Sequence, residues 1–517
     1  MALDYLPTLN STGDMKRAIL IAAGLLLSWS LGLAQSWEER LEAMEKRVQA
    51  RQQAQQERID LAFANQMRRL WVKADLQRGL PLPEIPEPST PKVYDPDLVP
   101  KGNQQDRELN AIPDDSRSIA LDAPAPAPAP TPAAPVPDNI QREVASLEAA
   151  AQAEAFGSAF ELRFDPRMRF RLSGRLSEHR VAEGWERLEQ TEYELLLYQL
   201  TRQARELNLN DWGYAQLVAR ASRKVIPNDK NARVLLQWFM LSQMGYIATV
   251  AYERDRLHLL LPTQQTLYGK TYLSSKSQKL YAIDLEGEEL SVGQAHVFAH
   301  KYPEASRVMD LRVREAPRFR PSVKQRTVPF QYLGQSYRVP VVANRNLVAF
   351  YGTYPFVDLS IYLGAPAAAE TRSTLVDTLR RMVRRLPARE GVSRRVEAVN
   401  FLLHFVQAMP YKTDAEQFGR ERYLFADETL YFPYSDCEDR SVLLAYLVRE
   451  ITGLEVVGLL YPGHAATAIH FPEPVKGDWV SQGGKRYVVA DPSYIGADLG
   501  ETLPSAQAQL ARIIRVE

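Results

Sequence analysis

Apolar positions after Ser36 recur at helical spacing: Trp37, Leu41, Met44 and Val48 share one face, with Ser36 as N-cap and Glu39 placed to close a capping box. The pattern predicts one long exposed helical arm over 36–80. Its heptads are too irregular for a sustained coiled coil, yet they leave pairing with a second copy or with an envelope or cell-wall component open. A further amphipathic helix is expected at about 138–155. After it, Phe160, Leu162, Phe164, Met168, Phe170 and Leu172 alternate around Asp165-Pro166, which reads as a hairpin. Helical periodicity returns from Ser177 to about Leu207 and again after Trp212. Over 291–366 Tyr, Val and Phe alternate with polar residues between Gly, Pro and Asn, predicting a small β-sandwich or open antiparallel module. Helices are expected at 370–388 and 391–408.

Two stretches of the chain follow the same pattern. The segment starting at Asn231, "NARVLLQWFMLSQMGYIATVAYERDRLHLLLP", falls on "DRSVLLAYLVREITGLEVVGLLYPGHAATAIH", starting at Asp439, at a constant offset of 208. Each reads as a helix ending near a glycine, then strands, the last closing in Asp284 or Asp491. Asp229 stands where the second stretch has Cys437, and Arg256 where it has His464. The first stretch thus reads as a degenerate copy that lacks the reactive side chains of the second.

At 517 residues, 45% apolar and 24% charged, the chain is long enough for three or four domains with real cores. Lys+Arg and Asp+Glu number 63 each, so no overall field points to nucleic acid as a partner. The Arg-rich stretch 380–395 lies on expected helices and reads as a solvated face. Residues 81–137 hold 15 of the 34 prolines, and "APAPAPAPTPAAPVP" at 123–137 favours a stiff extended spacer. Met15-Lys16-Arg17 followed by a short apolar run ending at Ala34 looks like an export signal, with translation starting at Met15. The run is short of the roughly 20 residues of a membrane span, although a single anchor is the alternative. The expected boundaries are therefore 1–34 signal, 36–80 arm, 81–137 linker, 138–290 helical region with the degenerate copy, 291–369 β-rich module and 370–517 C-terminal domain. The localisation they imply is periplasmic or secreted.

Export matters for Cys437, because the only cysteine of an exported chain cannot form an internal bridge and remains a free thiol. It precedes the apolar helix "EDRSVLLAYLVREIT", and exposed N–H groups at a helix start favour a thiolate. The acids around it oppose that effect, so a further partner is needed. His464, in "YPGHAATAIHF", is the candidate base, with His470 as the alternative; Asp491, closing "KRYVVAD", could orient the ring. Buried filler for the cysteine and turn roles for the other two are the bland readings. The seven histidines show no metal signature: His296 and His300 lack the acid of an HExxH motif, and neither a metal nor another cofactor is expected.

The residues "DCEDRSVLLAYLVREITGLEVVGLLYPGHAATAIHF" from Asp436 and "GKRYVVADPSYIG" from Gly484 resemble the transglutaminase-like superfamily of bacterial exported proteins. The resemblance implies an α+β, papain-like domain in which a Cys-led helix packs on an antiparallel sheet supplying His and Asp. Cys437, His464 and Asp491 would then be the triad, reached through a solvent-open groove. It further implies thiol-dependent amide chemistry, either peptide or isopeptide hydrolysis or amide exchange, on a peptide or protein substrate. Gln417 and Gln407 are the side-chain candidates for the oxyanion donor, and Tyr434 and Tyr494 for cleft lining. The rival reading is a non-catalytic envelope scaffold that binds peptides or proteins.

Overall fold

The computed structural model describes residues 36–50, 56–83, 90–94, 106–113, 138–172, 174–275, 278–298 and 300–516. The export-signal segment 1–34 and the Ala-Pro run 123–137 lie outside them. Strands run in chain order as β1 (Trp71–Asp75), β2 (Arg107–Glu108), β3 (Ala111–Ile112), β4 (Ala149–Ala155) and β5 (Ser158–Phe164). Next come β6 (Thr249–Glu253), β7 (Arg256–Pro262), β8 (Tyr272–Ser275), β9 (Gln278–Ile283) and β10 (Gln294–Phe298). A ribbon of β11 (Val323–Tyr332) and β12 (Gln335–Asn344) precedes β13 (Glu455–Tyr461), β14 (His464–His470), β15 (Asp478–Gln482), β16 (Lys485–Ala490) and β17 (Ala511–Ile514).

The architecture is mixed α+β. One six-stranded sheet has the order β1-β10-β6-β7-β9-β8, and a seven-stranded sheet has the order β2-β15-β16-β14-β13-β17-β3. Five strands of each follow one path, β8-β9-β7-β6-β10 and β15-β16-β14-β13-β17. Each path is preceded by a helix, Lys230–Gln243 in the first and Cys437–Thr452 in the second. The helix Cys437–Thr452 ends because Gly453 takes the left-handed conformation (φ 72) that a side chain would resist. Val442, Leu443, Leu444, Leu447 and Val448 are buried where this helix packs against β13, β14 and the helix Arg394–Gln407. Leu444→Ala is expected to cost about 2–5 kcal/mol, as removal of a fully enclosed isobutyl group leaves a cavity; urea unfolding of the two proteins side by side measures it.

Several expectations are corrected. The described residues of the arm form helical segments folded onto the body. Trp37–Ala50 packs on the helix Tyr193–Glu206, and Gln56–Met67 packs on Glu178–Glu189. Leu41, Met44, Val48, Phe63 and Met67 are buried there, Arg40 pairs with Asp211 at 3.1 Å, and Trp71–Asp75 then joins the first sheet beside β10. The apolar stripe offered for a partner is thus covered by the chain's own helices. Part of the expected linker is structured too, since β2 and β3 lie parallel to β15 and β17 at the two edges of the second sheet.

The Ala-rich stretch 149–155 scores as helix by propensity but is a strand, because pairing with β5 outweighs intrinsic preference. The hairpin therefore turns at Phe156-Gly157, and Asp165-Pro166 instead opens a single 3-10 turn. Among the described residues no sandwich forms over 291–366: β10 belongs to the first sheet, β11 and β12 make a two-stranded ribbon, and the helices Arg345–Tyr351 and Leu359–Gly364 follow. Among the described residues no helix is long and apolar enough to cross a membrane.

Candidate functional site

Cys437 is the first residue of its helix and is completely buried. Its Sγ accepts a hydrogen bond from the Ala465 N–H at 3.2 Å, and the thiol donates to Glu438 Oε2 at 3.3 Å. Ala465 follows His464, the first residue of β14, which the chain reaches through a turn at Pro462-Gly463 where Gly463 has φ 77. Antiparallel pairing of Thr467 with Ala490 carries the end of β16 alongside the start of β14. Asp491 thereby meets His464, with Nε2 and Oδ2 2.7 Å apart. The other carboxylate oxygen of Asp491 accepts from the N–H groups of Ser493 and Tyr494 at 2.9 and 3.1 Å. Both side chains are almost wholly buried.

The expected open groove is not found, because the thiol has no solvent-exposed surface. Tyr423 and Arg440 stand near enough for the charge of Cys437 to act on them. The Tyr423 ring is wedged 4.5 Å from Phe356 and 5.6 Å from Tyr362, and burial lifts its hydroxyl well above the ordinary range. Burial also pulls the Arg440 guanidinium down to about 10, and it donates to Ser435 Oγ, to the Pro492 carbonyl and to the Met409 carbonyl.

The remaining site expectations fare differently. Gln407 is not an oxyanion donor: its Nε2 donates to the carbonyls of Tyr494, Ala497 and Asp491 at 2.9, 3.0 and 3.3 Å. Gln417, on the five-residue helix Asp414–Phe418, donates to the Tyr434 carbonyl at 3.3 Å. Tyr434 is a surface residue with the Lys412 ammonium 4.8 Å from its ring centroid. Tyr494 is buried edge-on to Tyr94 at 5.6 Å, so its ring packs a core rather than lining a cleft. His470 lies at the far end of β14 and donates through Nδ1 to the Arg486 carbonyl, 2.9 Å away, which removes it as the base.

Sequence reasoning missed an acidic cluster. Carboxylate oxygens of Asp414, Glu421 and Glu438 lie within 4.8 Å of one another, as do those of Asp414, Asp436 and Asp439. Such all-oxygen sets could hold a hard divalent cation of the calcium or magnesium type. Asp436, Glu438 and Asp439 were visible around the cysteine only as groups adverse to a thiolate; no local pattern joins Asp414 and Glu421 to them, and a search built on histidine overlooked all five.

At the matching positions of the first sheet the chemistry is different. Asp229 caps its helix by accepting from the Ala232 N–H at 2.9 Å. Lys230 pairs with Asp284 at 2.5 Å and with Glu288 at 2.7 Å, and Arg256 reaches Glu288 at 3.0 Å. A helix cap stands where the second sheet has the thiol, and an ion pair where it has the imidazole.

The helix Ala426–Tyr431, packed on the cysteine helix, carries two fully buried acids. Burial raises Asp427 to about 6 and Glu428 to about 7, the latter despite the Arg422 guanidinium beside it. Unfolded carboxyls lose their protons near pH 4, so between about pH 4 and 7 the folded chain binds more protons and stability falls as pH rises. Asp427→Asn is expected to flatten the lower half of that slope, roughly pH 4–6, in melting temperatures recorded against pH.

No family model, no curated protein and no solved structure matches this chain.

Proposed function

We propose that the C-terminal unit is a transglutaminase-like, papain-like thiol centre, held here in a closed form, that performs acyl chemistry on amide bonds of a peptide or protein outside the cytoplasm. The observation carrying this reading is the pairing of His464 Nε2 with a backbone-held Asp491, on a strand whose next N–H touches the Cys437 sulfur. Asp491 stabilises an imidazolium, His464 takes the thiol proton, and Cys437 attacks a carboxamide carbonyl. The proton passes to the leaving amine, and water or a second amine then cleaves the thioester. The Cys437 backbone N–H, at the first position of the helix, is the donor assigned to the oxyanion. Approach of any acyl group requires the cover over the sulfur to move, which makes opening part of turnover.

Treatment of the full chain with a peptide vinyl sulfone, read by mass spectrometry, tests this. A single adduct on Cys437 that disappears in Cys437→Ser and forms far more slowly in His464→Ala is expected. Adduct formation at equal rates with and without His464 would leave the thiol an ordinary one.

A non-catalytic scaffold is favoured by one observation, the complete burial of Cys437, together with the Asp229 cap and the Arg256–Glu288 ion pair at the corresponding positions of the first sheet. On that reading the thiol is unmodified by the vinyl sulfone under native conditions.

A further inference from the structure

We infer that Gln407 is a positioning residue for the His464–Asp491 pair, acting through the loop that follows β16. This rests on reading Cys437, His464 and Asp491 as one centre. Gln407 ends the helix Arg394–Gln407 and is buried, 5% exposed. Its Nε2 faces the carbonyls of Asp491, Tyr494 and Ala497, and its Oε1 accepts from the Gly496 N–H at 3.0 Å. One amide group therefore ties both ends of the turn 491–497 to a helix outside the sheet.

That turn is what aims the carboxylate. The N–H groups of Ser493 and Tyr494 hold Asp491 Oδ1, leaving Oδ2 for His464. The Tyr494 peptide is thus fixed from both sides, its N–H on Asp491 and its carbonyl on Gln407. The loop gains a second brace from Arg440, which donates to the Pro492 carbonyl at 3.4 Å from within the cysteine helix. The Gln407 amide is engaged by the loop carbonyls and the Gly496 N–H rather than by sulfur or imidazole, so its influence runs through Asp491. Without its donors the peptide planes at 494 and 497 can rotate, and Asp491 no longer selects one ring orientation and one tautomer for His464.

The test is the pH profile of Cys437 alkylation by iodoacetamide in the full chain, for wild type, Gln407→Met, Gln407→Glu, Asp491→Asn and the double variant Gln407→Met/Asp491→Asn. Methionine keeps the volume without hydrogen bonds; ionised glutamate keeps the acceptor for Gly496 and loses the donors. Wild type is expected to label at a nearly level rate from pH 6.5 to 8. Both Gln407 variants should fall by roughly tenfold at pH 6.5 and recover toward pH 8.5, as an unassisted thiol does. The double variant should be no slower than Asp491→Asn alone, since both changes break one device. Superposition of the Gln407 variants on the wild-type profile, even with a lower melting temperature, or additive effects in the double variant, would overturn the inference.

If Gln407→Met fails to fold, Gln407→Glu is read by the same criteria. Should wild type itself show no level region, the thiol reading fails while the positioning claim is still decided by NMR of histidine labelled with carbon-13 at Cε1. A His464 titration midpoint displaced in the Gln407 variants, as in Asp491→Asn, supports it, and an unmoved midpoint sinks it.

Discussion

Cys437 is expected to react with iodoacetamide about tenfold more slowly at pH 7 in His464→Ala than in the wild type. The estimate comes from ionisation. An ordinary thiol, with a pKa near 8.5, is only about 3% thiolate at pH 7. A neighbouring imidazolium can bring that fraction close to one, a gain of roughly thirtyfold, part of which is lost because a more acidic thiol is a weaker nucleophile. Burial of Cys437 slows both proteins alike, so the ratio reports the imidazole and the absolute rate reports opening. The chain has one cysteine, so every adduct is assigned without mapping. The profiles should also differ in shape: the variant rises about tenfold per pH unit toward 8.5, whereas the wild type is nearly level.

Arg440→Met is expected to lower the stability of the C-terminal unit by about 3 kcal/mol or more, since three buried acceptors lose their donor at roughly 1–3 kcal/mol each. The guanidinium is fully buried, lies 5.0 Å from the Tyr411 ring centroid and donates to Ser435 Oγ, the Pro492 carbonyl and the Met409 carbonyl at 3.3, 3.4 and 2.5 Å. It is also the cation on which Asp436 and Asp439 act. Methionine fills much of the volume, but it leaves those acceptors without donors and those carboxylates without their neighbour. Arg440→Lys should recover part of the loss by restoring charge without the planar fork. Urea unfolding followed by tryptophan fluorescence measures both, and a loss below about 1 kcal/mol for methionine would show the buried cation to be dispensable.

How far the sequence carried depended on where the determining contacts lay. The helix from Cys437 and the strands after it were legible because apolar periodicity, Gly453 and the Pro462-Gly463 turn are local signals. The pairing of His464 with Asp491 could be anticipated from the order of those elements. Burial of the thiol stood only as the bland alternative, because the loop that brings Tyr423 near it carries no periodicity. Gln407 was expected as an oxyanion donor, but its partners lie some ninety residues away and direct it at a loop instead. The acidic cluster was hidden for the same reason, since Asp414 and Glu421 join Asp436, Glu438 and Asp439 only in three dimensions. The arm was misjudged because Leu41, Met44 and Val48 suffice for burial once the helix Tyr193–Glu206 supplies the opposite face. At 149–155 alanine propensity pointed one way and pairing with β5 the other, and long-range pairing prevailed.

The central claim is that imidazole and thiol form one ionisable pair. The most direct measurement is thiolate absorbance near 240 nm titrated from pH 5 to 10, taken as the difference between wild type and Cys437→Ser. The account predicts a thiolate band already present at pH 7 and absent at that pH in His464→Ala. A band that appears only above the ordinary thiol range, at the same pH in both proteins, would contradict it.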